Sequence, residues 1–84
     1  MNLQDIGARI LHVRTEIIKL PQREFAQVMG MGQGNMSKIE KGQSLPSCFF
    51  LVSLYKTYRV NVNWVLSGDG PMLAEKPEPE ACPV

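Results

Sequence analysis

The sequence predicts an all-α domain of five short helices, and three observations lead there. Apolar residues recur at steps of three and four, no segment of any length alternates apolar and polar residues as a half-buried strand would, and glycine or proline clusters separate the periodic runs. Eighty-four residues suffice for one domain with a modest core, and a hydrophobic share of 44% excludes wholesale disorder. The expected division is a folded domain over residues 1–73 and a flexible, acidic, proline-rich tail over 74–84, which reads AEKPEPEACPV.

Leu3, Ile6, Ile10, Val13 and Ile17 form the apolar stripe of the first helix, with Leu11 and Ile18 widening it and Asn2 or Asp5 placed to cap it. Pro21 suits the first turn of a second helix, because the amide it lacks would be unpaired there anyway. Phe25, Ala26, Val28 and Met29 supply the inner face of that helix, and Gly30 stops it. A third helix over residues 33–41 points Met36 and Ile39 inward and ends at Gly42. Ser47 caps a fourth, whose buried stripe is Phe50, Leu51, Leu54, Tyr55 and Tyr58. Asn61 caps a fifth carrying Val62, Val65 and Leu66 with Trp64 beside them, broken by the run Ser67-Gly68-Asp69-Gly70-Pro71.

The joint between the second and third helices holds three glycines in five residues, Gly30, Gly32 and Gly34. A steep crossing there needs a small side chain where the backbones approach, which Ala26 supplies. It also needs a residue at ease with positive φ at the corner, which Gly30 supplies. The pattern Gln22-x-Glu24-Phe25-Ala26-x3-Gly30, then Met36-Ser37-Lys38-Ile39-Glu40-Lys41-Gly42 and Pro46-Ser47, resembles the helix-turn-helix of lambda-repressor-like (XRE-type) DNA-binding domains. The stretch from Val60 to Met72 is similar to the closing segment of phage-repressor N-terminal domains, so the resemblance covers about residues 4–73.

The resemblance implies a helix-turn-helix at about 22–41, with residues 33–41 as a recognition helix in the major groove of double-stranded DNA. The side chains suit that task. Gln33 can donate to and accept from one adenine edge at once, Asn35 and Ser37 are short donor–acceptors, and Lys38 reaches farther, to a guanine or a phosphate. Gln22 opens the second helix, where free backbone amides would meet a phosphate. In the family a glutamine there also braces the first glutamine of the recognition helix, so a Gln22–Gln33 contact is expected. Lys41 and Gln43 stand at the far end, placed for phosphates that set position without reading sequence. Arg14 and Glu40 resemble the family's buried ion pair, but the segment between Arg14 and Gln22 is one residue longer than is commonest, which leaves Arg9 as a second possible partner.

Three positions depart from the family pattern. Pro21 and Gly32 stand where Ser or Thr usually caps the second and third helices. Gly34 occupies a place that normally carries a base-reading side chain, so one base step is read less strictly, or the backbone approaches DNA closely, or DNA binding is partly lost.

Residues 1–59 carry eight Lys/Arg against four Asp/Glu, +4, and residues 60–84 one Lys against four acids, −3. That split is compatible with a nucleic-acid partner without demanding one. The longest apolar run, Cys48 to Val52, is far short of a membrane span, and no basic-then-apolar leader opens the chain. A cytoplasmic, nucleoid-associated protein with free Cys48 and Cys82 is therefore expected. No Ser/His/Asp or Cys/His set, phosphate loop or zinc spacing is apparent, and His12 stands alone, so neither an enzyme, a small-molecule substrate, a cofactor nor a metal is expected. The leading expectation is a transcriptional repressor that binds a palindromic operator as a homodimer. Its dimer surface is expected from Val60, Val62, Val65, Met72 and Leu73. The rival is the same fold serving as a protein-interaction module, antitoxin-like or coactivator-like, with weak or no DNA binding.

Overall fold

The computed structural model of the protein describes residues 2–73; the expected tail at 74–84 lies outside the described residues. Helix α1 runs Leu3–Val13. Asn2 caps it, its side-chain oxygen accepting from the backbone N–H of Gln4 at 2.7 Å and of Asp5 at 3.3 Å. Ile6, Ile10 and Val13 are buried, but Leu3 and Leu11 are exposed, so the stripe is narrower than expected. Leu11 follows Ile10 by one residue, which turns it about 100° away from the core.

The first helix does not continue as α-helix to Ile18. Arg14–Ile18 form a π turn, closed by the Lys19 N–H donating to the Arg14 carbonyl at 2.6 Å and ended by Lys19 in the left-handed region at φ 60°. A π turn closes a wider ring than an α turn, and so takes up one more residue. The extra residue between Arg14 and Gln22 finds its place here, with Ile17, Ile18 and Leu20 half-buried against the core.

Helix α2 is Gln22–Val28, with Pro21 just outside it as the capping residue rather than within its first turn. Phe25, Ala26 and Met29 are buried, whereas Val28 falls off the edge of that face and is exposed. Gly30, at φ 73°, ends the helix: its N–H reaches the Gln27 carbonyl, and the Met31 N–H reaches back to Ala26 at 2.9 Å. That pair of bonds satisfies carbonyls a helix end would otherwise leave open, and the left-handed corner admits glycine without strain. Helix α3 is Gln33–Glu40, one residue shorter than expected, since Lys41 is its capping residue. Met36 and Ile39 are buried as expected, and Met31 is half-buried beside them.

Helix α4 is Cys48–Tyr58, capped by the Ser47 hydroxyl, which accepts from the Phe50 N–H at 3.1 Å. Only Phe50 and Leu54 of its expected stripe are fully buried; Leu51, Tyr55 and Tyr58 are half-buried. Phe25 sits against this helix, edge-on to Phe50 and tilted to Tyr58, with ring centroids 6.2 Å apart in both pairs. Helix α5 is Val62–Ser67, capped by Asn61, whose side chain accepts from Asn63 N–H at 3.0 Å. Trp64 lies half-buried against the core, as a packing residue. An isolated antiparallel bridge between Val60 and Leu73, with Asn61 N–H donating to Met72, closes the domain; no strand forms among the described residues.

Two expectations about the dimer surface do not survive. Val60 and Val65 are 0% exposed and belong to the core: Val60 pairs with Leu73 in the closing bridge, and Val65 lies on α5, which packs against α1. They offer nothing to a partner, while Val62 and Met72 are half-buried and Leu73 is exposed. One close approach was not legible in the sequence. Gly7 of α1 lies so near the end of α3 that a methyl group there would meet the backbone carbonyls of Ile39 and Glu40, the latter at 2.7 Å. A side chain at residue 7 would push α1 off the end of α3.

A candidate nucleic-acid interface

The elbow between α2 and α3 turns the first turn of α3 outward. Met36 and Ile39 anchor the inner side of α3, so Gln33, Gly34, Asn35 and Lys38 fall on the outer side and are exposed, with Ser37 half-buried between the two. Lys41 and Gln43 are exposed beyond the helix end, and Gln22 is half-buried at the start of α2. The side chains of Asn35, Ser37, Lys38, Lys41 and Gln43 form no hydrogen bond with other described residues, which leaves their donors and acceptors open to an external partner.

Gln33 and Gln22 do meet. The Gln33 side-chain N–H2 donates to Gln22 Oε1 at 3.3 Å, as expected. Behind them sits the ion pair, and its cation is Arg14: Arg14 Nε donates to Glu40 Oε2 at 2.7 Å and Nη2 to Glu40 Oε1 at 3.3 Å. Arg9 instead donates to the Val65 carbonyl at 3.1 Å, tying α1 to α5. Arg14 also donates to the Leu20 carbonyl at 3.0 Å, holding the link between the π turn and α2. The Glu40 side chain is 4% exposed, and Gln22 Nε2 donates to its Oε1 at 2.9 Å. Sequence reasoning missed this last contact. Its partners are eighteen residues apart, and neither has a local signal that points to the other.

Among the described residues no three His, Cys, Asp or Glu side chains gather as a metal site would require, and no helix is long and apolar enough to cross a membrane. An apolar groove of about 420 Å³ opens between the start of α4 and α5, lined by Leu45, Pro46, Cys48, Leu51, Val52, Val62 and Leu66.

No protein-family model matches the chain, and no curated protein matches its sequence significantly. Solved structures do match. The P22 c2 repressor, solved in complex with a synthetic operator, is 26% identical at a TM-score of 0.67, over 79% of this chain and 98% of that one. The fold is that of the lambda-repressor-like (XRE-type) helix-turn-helix domains. The restriction-modification controller protein C.AhdI of Aeromonas hydrophila shares the architecture at 22% identity and a TM-score of 0.65, over 75% of this chain and 90% of that one. The clp gene regulator ClgR of Corynebacterium glutamicum is similar at 25% identity and a TM-score of 0.65, over 75% of this chain and 66% of that one. In this lambda-repressor-like frame α2 and α3 are the helix-turn-helix.

Proposed function

We propose that this chain is a sequence-specific double-stranded DNA-binding transcriptional regulator, a repressor that acts as a homodimer on a palindromic operator. The observation that carries the proposal is the outward first turn of α3, where Gln33 is exposed yet braced by Gln22. A side chain held in place before binding loses less freedom on contact, and a glutamine amide matches an adenine edge with two bonds at once. Asn35, Ser37 and Lys38 would read or anchor beside it. Gln22, Lys41 and Gln43 would meet phosphates on either side of the groove. Gly34 would let the backbone come close. The likeness to a repressor solved with its operator, and to two other regulators, supports a regulatory, non-enzymatic role acting where the DNA is, in the cytoplasm.

One recognition helix touches few base pairs, and two held about one turn of DNA apart (roughly 34 Å) multiply the specificity. The apolar groove between α4 and α5 supports the dimer reading, with Val52 exposed on its wall and Phe49, next to Cys48, 74% exposed. Val62 belongs to that groove; Met72 and Leu73 remain at the edge of the domain as further candidates.

Selection of preferred sites from a random duplex pool tests the proposal. Recovery of a two-fold symmetric consensus is the expected result. Failure to retain duplex even at low salt would favour a protein-interaction role for the same fold.

A further inference from the structure

We propose that Glu40, buried behind the interface, sets the base preference of Gln33 by fixing which way two amides point. This rests on the reading that Gln33 contacts a base edge. An ionised carboxylate accepts hydrogen bonds and cannot donate them. Both Glu40 oxygens already accept from Arg14, and Gln22 approaches Oε1 at 2.9 Å, so only the NH2 end of the Gln22 amide fits there. The Gln22 carbonyl oxygen is thereby turned toward α3, where it accepts from Gln33 Nε2 at 3.3 Å. Each amide in the chain dictates the direction of the next.

The direction matters at the DNA. Gln33 gives Gln22 one N–H and keeps a second N–H, beside an oxygen that bonds no other described residue. That adjacent donor and acceptor match N7 and N6–H2 of adenine. With both amides reversed, Gln22 would donate to the Gln33 oxygen. Gln33 would then carry its NH2 where its oxygen had stood, opposite the place where adenine offers N6–H2 and guanine offers the O6 acceptor. The reversal would also set the Gln22 carbonyl against the Glu40 carboxylate, with no proton between them. Glu40 is therefore a positioning residue for specificity, acting through Gln22 and never touching DNA.

The test compares adenine with guanine at the base pair that Gln33→Ala makes indifferent, by competition binding with the full chain. Two variants are used. Glu40→Gln lets the chain of amides run either way, and Gln22→Met removes its middle link while leaving the Arg14–Glu40 pair intact. Thermal melting establishes that each variant folds, and Gln22→Met stands alone if Glu40→Gln does not. The expected result is an adenine-over-guanine ratio reduced about tenfold in the folded variants. Binding of Glu40→Gln to random duplex should stay within about twofold of the parent, whereas Gln22→Met, which also gives up a phosphate contact, should lose affinity on every duplex alike, a loss that cancels in the ratio. A merely structural role for Glu40 would change the melting temperature and leave the ratio alone. Unchanged preference in Gln22→Met overturns the proposal, as does a parent that prefers guanine at that pair. If Gln33→Ala makes no base pair indifferent, the base-reading role itself fails and this proposal falls with it. If Gln33→Ala erases a preference that Gln22→Met keeps, only the relay fails.

Discussion

Gln33, Arg14 and Gly7 do three different jobs within one small region, and each has its own signature on substitution. Gln33 is exposed and contributes little to packing, so Gln33→Ala should leave the fold intact. Its expected cost at the preferred operator is about 1–3 kcal/mol, with non-specific binding almost unchanged, as measured by titration against operator and random duplex. Arg14 balances a glutamate whose side chain is 4% exposed. Arg14→Met would strand that charge, and chemical denaturation should register a loss of about 3–5 kcal/mol. Gly7→Ala adds only a methyl group, but the atoms it meets are backbone carbonyls that no rotamer change can move aside. A destabilisation of about 1–3 kcal/mol is expected by the same measurement. Gln33 and Arg14 could be singled out in the sequence because they stand in a recognisable motif. Gly7 could not, since nothing beside it says that the end of another helix arrives there.

Among the elements, α3 is the most exposed to compromise. It is short, it begins at Gly32 with no side-chain cap, and it carries Gly34 in its first turn. A Cβ at residue 34 would meet nothing within 4 Å, so Gly34→Ala should fit without strain. The expected gain is up to about 1 kcal/mol of stability, read as a raised melting temperature. If the backbone at Gly34 comes close to DNA, the same variant should bind its operator more weakly while being more stable. Equal or tighter operator binding would leave the glycine without a contact role. The π turn after α1 is the other instructive element. Its presence was foreshadowed only as one surplus residue in the connection to α2. The choice of a wider turn over a longer loop follows from Ile17 and Ile18, which reach the core from it, and from the Arg14 guanidinium holding Leu20.

At the scale of the whole molecule, the basic and polar edge of α3 and the apolar groove of α4 and α5 make separate demands. Phosphate contacts release counterions, so operator affinity should fall steeply with salt. Lys38→Ala should reduce the slope of log K against log salt by about 1 if Lys38 meets a phosphate, as mobility-shift titrations over a salt series will register. The expected dimer face shifts from the list read from sequence. Val60 and Val65 read from sequence as surplus apolar surface for a terminal segment, but Val60 is paired with Leu73 and Val65 belongs to α5 packed against α1, both within the core. Leu45, Val52 and Phe49, by contrast, drew no attention as surface residues and are exposed.

The sequence by itself determined five helices, most of their caps, the elbow at Ala26 and Gly30, and the edge that α3 turns to solvent. All of these depend on periodicity or on residues close together along the chain, where conformation is dictated by neighbours within a turn or two. Only the tertiary structure decided that Arg14 rather than Arg9 pairs with Glu40, that Gln22 joins that pair, that Gly7 is a point of contact, and which valines are hidden. Those outcomes depend on atoms brought together across long separations in sequence, and the burial of a side chain is a property of everything that packs around it.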